Sequence, residues 1–389
     1  MGGRTFRAFR AATGSRRWAG AGAGRGRTLR STPKLRAVPH RSKRPATRAD
    51  VARLAGVSES TVSYALSGVR SIADDTRERI LAAMEQLGYT PNVMAQGLAG
   101  KRTGLLALLF PVADRGFATT DFEYVSAASR VAQASGRQVL MWPNPVDDLD
   151  ALRLVASQRL VDGFILMEVR SSDPRVAVLQ EYRLPFVLIG RTASEHGMSW
   201  VDADFSKWGP MAIDALVSHG HSDVVFLTQP ESLFQAGYGP LVRTERDLVR
   251  YAASQGVNLH VIRAEATIRA GRDAFARMLA ERPNVTAILG FNEIAMIGVL
   301  EGISASGRSV PANYSVLQFG IGPAAAEYTS PPQDTIGVDG AILGAQAAEF
   351  LLRHLDGLVE EPQQYLADPV RVDRGSVADA PKRTGSPKR

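Results

Sequence analysis

The stretch that decides the fold runs from Thr47 to Gly68, TRADVARLAGVSESTVSYALSG. Thr47 stands three residues before Asp50, so its hydroxyl can cap a helix whose positive end Asp50 favours. Val51, Ala52, Leu54 and Ala55 recur at helical spacing and predict an apolar stripe. Gly56 ends that helix, because the left-handed C-cap conformation suits glycine. Ser58 caps a second helix, with Val62, Ala65 and Leu66 at helical spacing. Two short helices joined by AGVS form a helix-turn-helix pattern. A third helix is expected over Asp74–Leu87, burying Ile80, Leu81, Met84 and Leu87, with Gly88 and Pro91 ending it. Spacing alone leaves two readings open, because helix–Gly–helix pairs also occur in bundles that never meet DNA.

Outward from this head, charge divides the chain. Fourteen Lys or Arg precede the first acidic residue, Asp50, so residues 50–389 carry −7 of the formal +7 total. An all-basic arm can bind nucleic acid by releasing counterions from phosphates. The same arm, with GAGAGRGR, Pro33 and Pro39, reads as disordered. A dispensable extension and an organellar transit peptide are the other readings of it. It lacks the apolar core of an export signal. The chain has no Cys, which excludes disulfides and thiolate chemistry. No apolar run approaches the ~18 residues of a membrane span.

Beyond Thr103 the pattern becomes α/β. Strands are expected at GLLALLF (104–110), RQVLM (137–141), DGFILM (162–167), PFVLIG (185–190), DVVFLT (223–228), LHVI (259–262), TAILG (286–290) and SVLQF (315–319). Amphipathic stretches separate most of them, which implies parallel sheets covered on both faces. About 270 residues of this pattern exceed one typical core. Two doubly wound lobes would bind a ligand near the carboxyl ends of their strands.

From Thr47 to Gly100 the sequence resembles, without a gap, the head and hinge of the LacI/GalR (lactose-repressor/galactose-repressor) family of bacterial transcription regulators. TRERILAAMEQLGYTPNVMAQGLAG continues the match through the third helix and hinge. More loosely, DADFSKWGPMAIDALVSHGH, AILGFNEIAMIGVLEGISASGRSVPANYSVLQF and LGAQAAEFLLRHLDG resemble the family's effector-binding core. The resemblance implies an N-terminal three-helix head and a two-lobed core like the periplasmic sugar-binding proteins. The expected division is a disordered basic extension (1–45), the helix-turn-helix domain (46–90), a hinge (91–102), the effector-binding and dimerisation core (103–375) and a disordered tail (376–389).

By position, the resemblance places Glu59 and Ser60 at the base-reading start of the second helix. Thr47, Ser58, Thr61, Ser63 and Thr76 fall on phosphate contacts, and Tyr64 and Ser67 on positions usually held by Arg and Asn. In the hinge, Ala95 and Ala99 would let two copies pack in the minor groove. Leu98 would wedge a base step apart, while Asn92 and Gln96 meet backbone or partner. Gly97 costs such a helix roughly 1 kcal/mol against Ala, so the hinge should fold reluctantly without DNA. In the cleft the resemblance points to Asp204, Arg243, Arg246, Asn292, Glu293 and Phe319 as effector contacts. The family's GFDD reads Gln318-Phe319-Gly320-Ile321 here, so both carboxylates are lost. The expected effector is therefore other than a simple monosaccharide, or absent.

No HExxH, GxSxG or P-loop occurs among these residues, so no catalytic group, metal or cofactor is expected. The expected partners are double-stranded operator DNA, a small-molecule effector and a second copy of the chain, in the cytoplasm and away from any membrane. The polar, proline-containing end DAPKRTGSPKR argues against a tetramer-forming helix. A sugar-binding protein without DNA-dependent regulation is the alternative. A tyrosine hydroxyl cannot make the paired hydrogen bonds that arginine makes to guanine. Selection from a random DNA library should therefore recover an operator that departs from the commonest family consensus at the base facing Tyr64. Tyr64→Arg should shift that base; identical selections from both chains would contradict the reading.

Overall fold

The computed structural model describes residues 44, 46–67, 70–89, 102–110, 119–194 and 197–382. The chain divides into two compact units, Met1–Thr90 and Pro91–Arg389. In the first, α1 (Arg48–Ala55), α2 (Glu59–Ser67) and α3 (Asp74–Leu87) enclose Val51, Ala52, Ala55, Val62, Ile80 and Ala83. Thr47 and Asp50 form a reciprocal capping box on α1. Gly56 and Gly88 close α1 and α3 in the left-handed conformation. The core is narrower than the sequence suggests. Leu54, Leu81 and Leu87 are 46%, 53% and 36% exposed, because Ala83 and Met84, rather than Leu81 and Leu87, join Ile80 on the inner face of α3.

The second unit has two α/β lobes. The first lobe holds β1 (Leu105–Leu109), α4 (Thr119–Ala134), β2 (Gln138–Trp142), α5 (Leu149–Gln158), β3 (Gly163–Leu166), α6 (Pro174–Glu181), β4 (Phe186–Ile189) and β5 (Ser199–Ala203). A 3-10 turn (Phe205–Lys207) then leads into the second lobe. That lobe comprises α7 (Trp208–Ser218), β6 (Asp223–Thr228), α8 (Glu231–Gln235), α9 (Gly239–Ser254), β7 (Asn258–Arg263), α10 (Ile268–Glu281), β8 (Ala287–Gly290), α11 (Glu293–Ala305), β9 (Ser315–Phe319), α12 (Pro323–Glu327) and β10 (Asp334–Gly337). The chain returns to the first lobe through α13 (Gly340–Leu355) and β11 (Gln364–Ala367), then ends in the second with β12 (Val370–Val372). The sheet orders are β11-β5-β4-β3-β1-β2 and β12-β10-β9-β8-β6-β7. All pairings are parallel except β10 with β12.

Both sheets are covered on two faces, and strand alternation shows how. Leu106 and Leu108 pack on one side with α4 and α13, while Ala107 and Leu109 pack on the other with α5. In the second lobe Val224 and Phe226 face the α7 side, and Val225 and Leu227 face α10 and α11. Period-2 residues that are apolar at every position read as continuous hydrophobic runs, which is why these strands were legible. The α10–α11 pair approaches unusually closely: a Cβ on Gly298 would lie 1.9 Å from Ile268 O, and one on Gly271 1.8 Å from Ala295 O.

The end of the core lies beyond residue 375, contrary to the expectation of a disordered tail from 376. Ser376 is fully buried; its hydroxyl donates to Val316 O at 2.5 Å and accepts from Asp334 N at 2.6 Å. Val377 packs against the second lobe's core. Ala378 O lies 2.9 Å from Nε2 of buried His221, whose ring also meets Thr286 Oγ1 at 2.7 Å and Ser315 Oγ at 2.8 Å. Residues 383–389 lie outside the described residues. Burial pushes the His221 pKa down. Its neutral form is therefore the native one, and its contribution to stability is full above about pH 6.5 and lost as pH falls below that. A chain ending at Gly375 should melt well below the full chain, and one ending at Lys382 should melt with it. Acidification from pH 7 to 5 should lower the melting temperature less in His221→Gln than in the parent. Equal melting of all three lengths would contradict this anchoring.

Candidate nucleic-acid interface and ligand cleft

In the head, the capping box uses the Thr47 hydroxyl: it donates to Asp50 Oδ2 at 2.6 Å, and Thr47 N donates to the same oxygen at 2.9 Å. These hydrogen bonds, ahead of Arg44 and Arg53, hold the Asp50 carboxyl below its ordinary pKa. At the start of α2, Ser58 Oγ accepts from Thr61 N at 3.1 Å and lies 2.7 Å from Ser60 Oγ and 2.8 Å from Thr61 Oγ1. This places three hydroxyls at the positive end of an α-helix, a fitting phosphate-binding arrangement. Glu59 and Ser60 are exposed, while Val62 is fully buried in the head's core.

Other assigned residues have additional work inside the head. Thr76 Oγ1 accepts from Arg79 Nη2 at 3.2 Å, and Arg79 Nη1 donates to Ala55 O at 3.1 Å, tying α3 to the end of α1. Ser63 and Tyr64 are half-buried on α2, and Ser67 closes that helix. Two arginines missed by sequence reasoning flank the assigned positions. Arg48 Nε donates to Glu59 at 3.3 Å, and the Arg70 guanidinium stands 6.0 Å from the Tyr64 ring centroid. Cations in the first turn and in the loop after α2 were the available signal. The hinge residues Asn92, Ala95, Gln96, Leu98 and Ala99 lie outside the described residues.

In the body, the chain crosses between lobes after β5, after β10 and after β11. The carboxyl ends of both sheets face the resulting cleft. Met167 and Glu168 follow β3, Gly190 follows β4, Gln229 follows β6, Phe291 and Asn292 follow β8, and Gly320 and Ile321 follow β9. All of them line one cavity that opens between the two sheets. Its aromatic wall is continuous: Trp208 lies 4.7 Å from Phe205, 5.5 Å from Phe319 and 5.8 Å from Phe291 between ring centroids.

Of the six expected effector contacts, Asn292, Glu293 and Phe319 are cavity-lining residues. Asn292 Oδ1 caps α11 through Ala295 N at 3.2 Å, and its Nδ2 donates to Ala264 O at 2.9 Å. Glu293 Oε2 accepts from the Thr120 hydroxyl at 2.9 Å, and Gly322 N donates to that hydroxyl oxygen at 3.0 Å. Thr120 on α4 thus joins the first lobe to two segments of the second. Glu168 holds φ +57°, a left-handed conformation uncommon for a non-glycine residue, and its Oε1 accepts from Tyr238 at 3.3 Å.

Asp204, Arg243 and Arg246 are not among the cavity-lining residues. Asp204 caps the 3-10 turn, accepting from Ser206 N at 3.2 Å, and pairs with Lys207 at 3.5 Å. The acid this segment gives to the wall is Asp202, two residues earlier and buried. Arg191 Nε and Arg243 Nη2 each donate to its Oδ2 at 2.9 Å. Burial pushes the Asp202 pKa up, and Arg243 and Arg191 oppose that push. Arg246 turns instead onto Asp247 at 3.0 Å, with its side chain 66% exposed. Among the described residues no group of three or more His, Cys, Asp or Glu stands together to hold a metal ion, and no helix is long and apolar enough to cross a membrane.

Two family models match the chain: the lacI family of bacterial regulatory proteins over residues 47–92, and the periplasmic binding protein-like domain over 213–377. The transcriptional regulator AglR of Rhizobium meliloti (strain 1021) is 27% identical over 87% of this chain and 96% of its own length. The transcriptional repressor PurR of Escherichia fergusonii is 28% identical over 87% of this chain and 98% of its own. Among solved structures, the lac repressor dimer bound to operator and the anti-inducer ONPF superposes with a TM-score of 0.72 at 24% identity, covering 86% of this chain and all of that one. That likeness establishes the shared fold. A head that matches the lacI family of bacterial regulatory proteins and a core that matches the periplasmic binding protein-like domain thus lie in one chain, whose full-length relatives AglR and PurR are transcriptional regulators.

Proposed function

We propose that this protein is a sequence-specific transcriptional regulator that represses by binding operator DNA through its head. A small molecule in the interlobe cleft changes its operator affinity. One observation carries the reading: an exposed hydroxyl cluster on the N-terminus of α2 in a capped helix-turn-helix, within the same chain as a ligand-sized cleft between two sheets. Hydroxyls and helix N-termini fix register on phosphates, leaving Glu59, Ser60 and Tyr64 to meet base edges. A near-palindromic operator read by a homodimer in the cytoplasm completes the proposal.

The aromatic wall and buried Asn292 fit a small ligand better than a macromolecule, because such pockets pair apolar surface with a few placed polar groups. The alternative of a binding protein without DNA-dependent regulation leaves the head without a role. The relatives are regulators rather than enzymes, in keeping with a cleft that binds and does not react.

Within this reading the hinge folds on the operator, Ala95 and Ala99 allow two copies to approach, and Leu98 kinks the duplex. Mobility shift and bending assays on the selected operator should show sequence-specific binding by the full chain. Leu98→Ala should weaken that binding by about tenfold and reduce the bend, since unstacking and wrapping are linked. The circular dichroism of the body should not change. An unaltered bend, or equal affinity for operator and scrambled DNA in the parent chain, would overturn the proposal.

A further inference from the structure

Arg44 and Arg53 of the head pair with Asp50, and Arg77 and Arg79 donate to backbone carbonyls of α2 and α1. Arg48 is placed differently. It opens α1, and its partner Glu59 opens α2. The two side chains are 50% and 52% exposed and meet through Arg48 Nε and Glu59 Oε2 at 3.3 Å. The terminal nitrogens of this guanidinium and the other oxygen of this carboxylate have no partner among the described residues. So exposed a pair adds little to stability. Its effect is to hold a carboxylate and a guanidinium side by side on the surface of the head, each with one edge left over.

The surroundings give that couple a use. Ser58 and Thr61, which bracket Glu59 in sequence, belong to the hydroxyl cluster suited to phosphates. A lone carboxylate brought there would be repelled by the phosphates, and the guanidinium bonded to it cancels that charge. In the major groove a carboxylate can accept only from cytosine N4 or adenine N6. Adenine sets its N6 beside the acceptor N7, which repels the second carboxylate oxygen, whereas cytosine offers its donor alone. Across the same pair, guanine presents O6 and N7, the two acceptors that a guanidinium edge meets with two nitrogens. A carboxylate beside a guanidinium is therefore complementary to the whole edge of a C·G pair.

We propose that Arg48 and Glu59 act as one couple that reads a C·G base pair in each operator half-site. Glu59 accepts from cytosine N4, and the terminal nitrogens of Arg48 donate to guanine O6 and N7 while its Nε keeps the bond to Glu59. The inference rests on the operator-binding reading and names a base pair that the operator must contain.

Selection from a random DNA library by the full-length parent, Glu59→Gln and Arg48→Ala tests this, followed by anisotropy titrations on the parent's site with each base pair varied. The parent should fix C·G at one position of each half-site, with a loss of about tenfold or more for any other pair there. Glu59→Gln should move that position, and no other, from cytosine towards adenine, because an amide offers both a donor and an acceptor to N6 and N7. Arg48→Ala should bring the four pairs at that position within about threefold of one another and leave the rest of the site selected. Glu59→Gln changes no volume to speak of and decides the matter alone should Arg48→Ala fail to fold by circular dichroism. A plain phosphate contact by Arg48 would weaken every sequence alike and lower the salt slope by about one without changing the selected bases. That result overturns the proposal, and so does an unchanged base preference in Glu59→Gln. A parent that selects an operator while both variants return the same site removes the couple and leaves the regulator reading intact. A parent that selects no site removes both.

Discussion

The cleft depends on one buried carboxylate. Asp202 is the penultimate residue of the first-lobe strand β5, and Arg243 reaches it from α9 of the second lobe while Arg191 reaches it from the loop after β4. Desolvating a carboxylate costs several kcal/mol, and two guanidinium groups at 2.9 Å offset that cost only in this geometry. Removing one partner strands a buried charge, typically a loss of about 3–5 kcal/mol. The same helix begins with Gly239 N donating to Val169 O at 3.0 Å, so charge and backbone fix the lobes together beside the cavity. Arg243 further lies 5.3 Å from the Phe205 ring centroid, binding the clamp to the aromatic wall.

This explains which parts of the site were legible. Asn292 and Glu293 sit at a helix start following an apolar strand, a local pattern that survives folding. Asp204 and Asp202 are two residues apart, and only the end of β5 and the crossover decide which one enters the wall. Arg243 and Arg246 are three apart on one helix; tertiary contact sends the first to Asp202 and the second to Asp247. Glu168 was missed because its left-handed backbone and its place after β3 leave no trace in residue spacing.

The fold was more legible than the site. Strands with apolar residues at every position, such as β6 and β8, announced a sheet buried on both faces. Short mixed strands did not: β5, β10, β11 and β12 carry Ser, Asp, Gln or Arg and are defined by their partners. Leu81 and Leu87 looked like core because helical spacing gives a stripe without its width, and a three-helix head can bury only part of it. Residues 376–380 looked like a tail because Ser376 and His221 are polar. Their burial depends on hydrogen bonds across 42 or more residues, including Ser376 to Val316 and Asp334 to Ser376.

Head and cleft make a regulator only if they are linked, and the Asp202 clamp is where that linkage is most exposed to test. The direct measurement is operator affinity, by fluorescence anisotropy, for the parent, Asp202→Asn, Arg243→Gln and the double variant, each checked for a folded body by circular dichroism. The account expects folded single variants to change operator affinity by about tenfold or more, and the double variant to depart from the sum of the singles, because the residues act as one pair. Folded variants that all bind operator as the parent does would contradict it.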